Sequence, residues 1–191
     1  MSYQTYITEA LVCGSRDNNT SDRSFRLFTR ETGMLWASAR SVRVEKSKQR
    51  YALQDLSHVR ASLVSGKAGW RLAGVEPLHN LYFDAESREA RGFVRNITRL
   101  LVRTIHGEER HVELFDDVIG MMMKCNEYDG ERLELILSLR ILYYLGYVSP
   151  DEKKSSWYTG AIDYDNIDSL AEGDIRDGKK IIEHALMSSQ L

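Results

Sequence analysis

Five basic side chains crowd into eleven positions, Arg40-Ser41-Val42-Arg43-Val44-Glu45-Lys46-Ser47-Lys48-Gln49-Arg50, with Glu45 as the one acid among them. Long cationic side chains at this density can follow a phosphate backbone, releasing counterions so that affinity falls steeply with salt. Trp36, Tyr51 and Phe28 lie nearby in sequence, and an aromatic face that meets an unpaired base contributes ~1–3 kcal/mol. Arg23, Arg60 and Arg71 are further candidates for the same track. A charge run alone also fits a solvated loop beside a core tryptophan, so the wider charge distribution has to decide. Residues 1–76 hold twelve Lys/Arg against seven Asp/Glu, a net of +5; the remainder holds fourteen against twenty-one, a net of -7. The formal charge of -2 conceals that asymmetry, which points the front of the chain toward a polyanion.

A second basic set, Arg88, Arg91, Arg95, Arg99 and Arg103, recurs at spacings of three and four, so a helix would gather it into one stripe. Such a stripe extends a DNA track, receives an acidic peptide, or serves only as a wet helix face. A merely wet face usually mixes Lys with Glu, whereas this one carries no acid after Glu89.

Enzyme chemistry finds no support. Gly66-Lys67 lacks the first glycine and the Ser/Thr of a phosphate-binding loop, with Ala61 and Ala68 in those places. No GxSxG is present, and neither Ser nor Cys stands in a nucleophile motif. His106-Gly107-Glu108-Glu109-Arg110-His111 lacks the spacing that puts two imidazoles on one helical face, and Asp163, Asp165 and Asp168 lack the glycine of a calcium loop. No metal and no cofactor is expected. Cys13 and Cys125 stand far apart in apolar surroundings and read as small buried hydrophobes in a reducing compartment. Met121-Met122-Met123 reads as core filler. No signal peptide is read at the start, and no apolar run reaches the ~20 residues of a membrane span, so a cytoplasmic protein without a membrane partner is expected.

The elements that must position these residues divide the chain in two. Strands are predicted at Tyr6–Cys13, Ser24–Thr29, Met34–Val42, Leu56–Val64 and Trp70–Val75, with a hairpin at Arg30-Glu31-Thr32-Gly33 in which Gly33 takes φ > 0. Five short strands without an intervening long helix favour a small closed or nearly closed barrel. Helical periodicity then predicts Asp84–Ile105, Val112–Lys124, a strongly apolar Glu131–Leu145 ending at Gly146, and a last helix starting near Asp168 or Asp177. Residues 151–165 read as a polar loop. The fold class is α+β: a five-stranded barrel over 1–78 and an all-helical domain over 79–191.

Leu27-Phe28-Thr29-Arg30-Glu31-Thr32-Gly33-Met34-Leu35-Trp36-Ala37-Ser38-Ala39-Arg40-Ser41-Val42-Arg43 resembles the hairpin of the RecO family, where an "lfT-x-x-x-G" turn leads into a strand ending in small and basic residues. Lys46-Ser47-Lys48-Gln49-Arg50 and Leu53-Gln54-Asp55-Leu56 are similar to that family's basic loop and its return, and Tyr6–Val12 to its opening strand. The likeness covers roughly residues 3–77; beyond them it rests on helical character and the phrase Leu145-Gly146-Tyr147. It implies an OB-fold followed by helices, and a non-catalytic recombination mediator in DNA repair. Such proteins bind and anneal single- and double-stranded DNA, act with a RecR-like protein, help RecA onto coated strands, and engage the acidic C-terminal tail of single-strand-binding protein. On that resemblance Arg40, Arg43, Lys46, Lys48 and Arg50 would hold DNA, with Arg23, Arg60, Arg71 and Trp36, and the arginine stripe would meet a partner. The other reading is a protein-interaction adaptor whose helical domain binds an acidic peptide. Two departures stand out: residues 151–165 contain no cysteine where many relatives carry a four-cysteine zinc module, and Ser41 replaces a common glycine.

Overall fold

The computed structural model describes residues 4–43, 47, 49–149 and 157–189. They form two compact units. One runs to Asp84 and also takes in His106–Phe115; the other comprises Ala85–Ile105 and the chain from Asp116 onward.

Five antiparallel-dominated strands build the first unit: β1 (Thr5–Asp17), β2 (Arg23–Thr29), β3 (Gly33–Ala39), β4 (Ser57–Gly66) and β5 (Gly69–Asn80). They close into a barrel in the order β1-β2-β3-β5-β4. Closure rests on β1, which pairs with β4 over Thr5–Leu11 and with β2 over Ala10–Asp17, changing register across Val12 and Gly14. An irregularity of this kind bends a strand and increases its twist, as a closed sheet needs. The one parallel pairing, Ala37 with Trp70 and Ser38 with Arg71, seals β3 against β5. Alternation then sends Ala10, Val12, Phe25, Leu27, Leu35, Ala37, Val59, Ala61 and Leu63 inward. Small alanines among large side chains fit the narrow interior of so few strands.

The hairpin turn is as the sequence indicated. Gly33 has φ +66°, and Met34 N–H donates to the Gly107 carbonyl at 3.0 Å. The stretch His106–His111 is therefore a loop, but one that folds back over the hairpin. A Cβ at Gly33 would drive into the Glu109 carbonyl oxygen and stand 2.9 Å from its nitrogen. Phe28 points outward from the barrel and packs on Phe115 with ring centroids 5.4 Å apart.

Several boundaries depart from the sequence reading. β5 continues through Pro77 to Asn80, past the boundary expected between residues 78 and 79; its register slips opposite His58/Val59, where a proline is tolerated. β3 stops at Ala39 rather than Val42 because Ser41 turns to φ +53°. The helix expected from Asp84 is split into α2 (Leu81–Asp84) and α3 (Arg88–Thr104), with α1 (Gln49–Ala52) lying between β3 and β4. Ser87 caps α3, its hydroxyl accepting from Ala90 N–H at 2.9 Å.

In the second unit α3 packs on α5 (Gly130–Tyr144), which in turn packs on α7 (Glu172–Ser188). α4 (Val112–Met123) begins in the first unit and ends in the second. α5 is buried over nearly its whole length, as its apolar run requires. α6 (Tyr164–Asp168) was not foreseen; Asp163 caps it by accepting from Asn166 N–H at 3.1 Å, which gives that acidic stretch a structural role. Within this core Arg140, 1% exposed, donates from Nε to Asp117 at 2.7 Å and from Nη2 to the Gly160 carbonyl at 2.6 Å. Burial pushes the Asp117 carboxyl up, against the pull of Arg140.

Two predictions follow from this packing. Gly33→Ala should lower unfolding stability by roughly 2 kcal/mol or more, because strain and collision add; unchanged chemical denaturation would contradict the turn. Arg140→Leu should cost about 3–5 kcal/mol by stranding Asp117, while Arg140→Leu/Asp117→Leu should recover much of the loss; a double-mutant cycle with additive costs would contradict the pair.

Candidate nucleic-acid interface

The basic residues of the first unit fall into two groups that the fold assembles separately. At one end of the barrel, Arg23 from β2, Arg43 from the turn after β3, and Arg50 from α1 line a cleft of about 270 Å3. Phe25, Val42 and Leu53 form its apolar floor. Val42 is 2% exposed, and its burial anchors the turn that carries Arg40 and Arg43. Ser41 N–H donates to Asp22 Oδ1 at 2.8 Å, and Arg43 N–H to the Ser21 carbonyl at 3.2 Å, so the turn is tied to the β1–β2 loop. The Ser41 hydrogen bond, followed by that from Asn19, holds the Asp22 carboxyl below its usual range.

Asp17 tempers this cluster. Its carboxylate lies 2.7 Å from Arg23 Nε and 3.4 Å from Arg43, and the Arg23 hydrogen bond holds it below the ordinary aspartate range. Arg43 also donates to the Asn19 carbonyl at 2.8 Å. Arg50 has no acidic partner among the described residues, and Tyr51 beside it is 70% exposed. Arg40 is exposed; Lys46 and Lys48 lie outside the described residues.

The second group runs across the outer face of the barrel. Register places Arg26 opposite Trp36 on neighbouring strands, and Gly14 opposite Arg26 leaves the space beside it open. Arg26 and Arg16 both lie over the Trp36 indole, at 5.1 and 4.3 Å from its centroid, a cation–π arrangement that orients both guanidiniums. Arg71, partnered with Ser38 in the sheet, continues this face. Sequence reasoning missed Arg16 and Arg26, which stand ten residues apart and meet only through strand pairing. Alternation along β1 and β2 was the signal available.

The remaining candidates are placed differently. Arg60 is engaged by acid on both sides, 3.0 Å from Glu76 and 3.7 Å from Glu9, and Phe28 is buried against Phe115, away from any base. Trp36 is partly buried beneath its two arginines instead of presenting an open ring. On α3, Arg88, Arg95, Arg99 and Arg103 are exposed and Arg91 half-buried, opposite the packed Phe93, Ile97 and Leu101. Burial pushes the Cys13 thiol up to about 12, leaving it protonated and unreactive at neutral pH. Among the described residues, no cluster of three or more His, Cys, Asp or Glu could hold a metal, and no helix is long and apolar enough to cross a membrane.

The sequence that builds this barrel is similar to that of a known family. Residues 1–81 match the family described as recombination protein O, N terminal. Over that stretch the chain is similar to the RecO N-terminal domain. It is 30% identical over 145 residues to DNA repair protein RecO of Desulfitobacterium hafniense (strain DSM 10664 / DCB-2), covering 74% of this chain and 52% of that protein. It is 29% identical over 143 residues to the RecO of Heliobacterium modesticaldum, with the same coverage. The RecO of Pelotomaculum thermopropionicum is 26% identical over 157 residues, 82% of this chain and 61% of the relative. The chain thus spans little more than half the length of these RecO proteins. The similarity to RecO reaches past the barrel into the helices, since 145 matched residues exceed the 81 of the N-terminal family.

The left-handed Ser41 offers a local check on the cleft. Ser41→Gly should raise stability by up to about 1 kcal/mol, since glycine adopts that conformation without a Cβ clash; a loss of stability on thermal denaturation would contradict the turn.

Proposed function

We propose that the barrel is an OB-type domain that holds DNA on the arginine cleft, and that the protein is a non-catalytic recombination mediator in DNA repair. The observation that carries this reading is the convergence of Arg23, Arg43 and Arg50, from three separate elements, on one cleft with an apolar floor. Phosphates entering it would meet guanidiniums that can form paired hydrogen bonds. Arg40 extends the track beside the cleft, and Arg16, Arg26 and Arg71 extend it over the outer face; Lys46 and Lys48, outside the described residues, join it on their place in the sequence. Trp36 positions arginines in this scheme, and Tyr51 takes the stacking role. Arg60, already neutralised, contributes little.

The similarity to RecO supports a mediator role: annealing of strands, assistance to RecA on strands coated by single-strand-binding protein, and partnership with a RecR-like protein in the cytoplasm. The barrel and the helical part divide the labour, with the helical part meeting partners. The exposed arginines of α3 support contact with an acidic tail, the adaptor reading, which is compatible with DNA binding by the barrel.

Fluorescence anisotropy with single- and double-stranded oligonucleotides across a salt series tests the reading. Arg43→Ala/Arg50→Ala should weaken binding and reduce the slope of log K against log salt by about 1.4 on single strands and about 1.8 on duplex. Asp17→Asn should tighten binding severalfold by releasing Arg23 and Arg43, and Arg60→Ala should change little. Unchanged affinity and slope in the double variant would overturn the assignment.

A further inference from the structure

Away from the barrel, α3, α5 and α7 enclose a groove of about 490 Å3 wholly within the second unit. Phe93, Leu135 and Ile182 give it an apolar floor. Gly92 and Gly130 keep it open; a Cβ at Gly92 would meet nothing within 4 Å. The rim is acidic. Glu89, Glu131, Glu134 and Glu183 line it against a single cation, Lys179, which Glu131 already engages. Asn96 donates to both oxygens of Glu134, at 3.2 and 3.0 Å, holding that carboxylate in place at the rim.

We propose that this groove is a docking site for a partner-protein segment bearing an aliphatic side chain flanked by lysines or arginines. The aliphatic group would fill the floor between Phe93 and Ile182, and the flanking cations would meet Glu89, Glu134 and Glu183. Charge complementarity selects this occupant. Four carboxylates against one lysine leave the rim net negative, which repels DNA and acidic tails alike, and a purely apolar segment would leave that excess unanswered. On α3 the groove takes the flank beside the arginine stripe, with Glu89, Phe93 and Asn96 turned into it. One helix thus offers surfaces of opposite charge to two kinds of ligand.

The intact chain can be titrated with two fluorescein-labelled amphipathic peptides of one leucine pattern, one with lysine and the other with glutamate at every polar position. The lysine peptide should bind at least about tenfold more tightly. Glu134→Gln/Glu183→Gln should lose most of that preference. Gly92→Leu, at an ordinary helical position, should block the peptide while leaving circular dichroism and DNA affinity unchanged; retained DNA affinity separates this proposal from the barrel's role. Equal binding of the two peptides, or lysine-peptide binding indifferent to both variants, would overturn it. So would a self-association, seen by sedimentation without peptide and abolished by Gly92→Leu, since the occupant would then be a second copy.

Discussion

Closure of the barrel by one strand is the constraint on which the rest depends. β1 gives its first half to β4 and its second half to β2, and the slip between Val12 and Gly14 lets a single thirteen-residue strand serve both. With both edges sealed, every strand must alternate strictly between a narrow interior and the outside. That alternation puts Phe25 and Leu27 inside and Arg26 outside; a one-residue slip would bury the arginine and expose the core. The basic surface is thus a by-product of register as much as of composition.

Electrostatics at the barrel mouth is balanced rather than maximal. Asp17 pairs with Arg23 and Arg43, but both arginines remain more than a third exposed. Exposed pairs of this kind contribute ~0–1 kcal/mol, so a phosphate can displace the carboxylate at little cost. In the proposed DNA-binding role, the acid would act as a placeholder that fixes the guanidiniums before a ligand arrives. Arg60 illustrates the contrary case, with acids on two neighbouring strands satisfying it from both sides.

Much of the architecture was legible because local signals agreed with the global fold. Gly33 announced its turn, the apolar run from Leu133 to Leu142 announced a central helix, and each strand began within two residues of the expected place. Where the reading stopped short, a tertiary effect intervened. Pro77 suggested a break, but a bulge absorbed it. The loop at Gly107–Glu109 looked merely polar, yet it covers the hairpin, a non-local contact that no window of sequence reveals. The site was half legible. The run through Arg40 and Arg50 was visible as charge density, whereas Arg16 and Arg26 meet Trp36 through pairing across three strands. Which cations were already neutralised was likewise invisible, since Glu76 reaches Arg60 only across the sheet.

The central claim is that a polyanion is received at the mouth of the barrel and over its arginine face. Hydrogen exchange measured by mass spectrometry, with and without a single-stranded oligonucleotide, tests it most directly. Protection concentrated in residues 16–26, 36–43 and 49–53 is the predicted result. Protection confined to α3, or a pattern unchanged by saturating oligonucleotide, would contradict it.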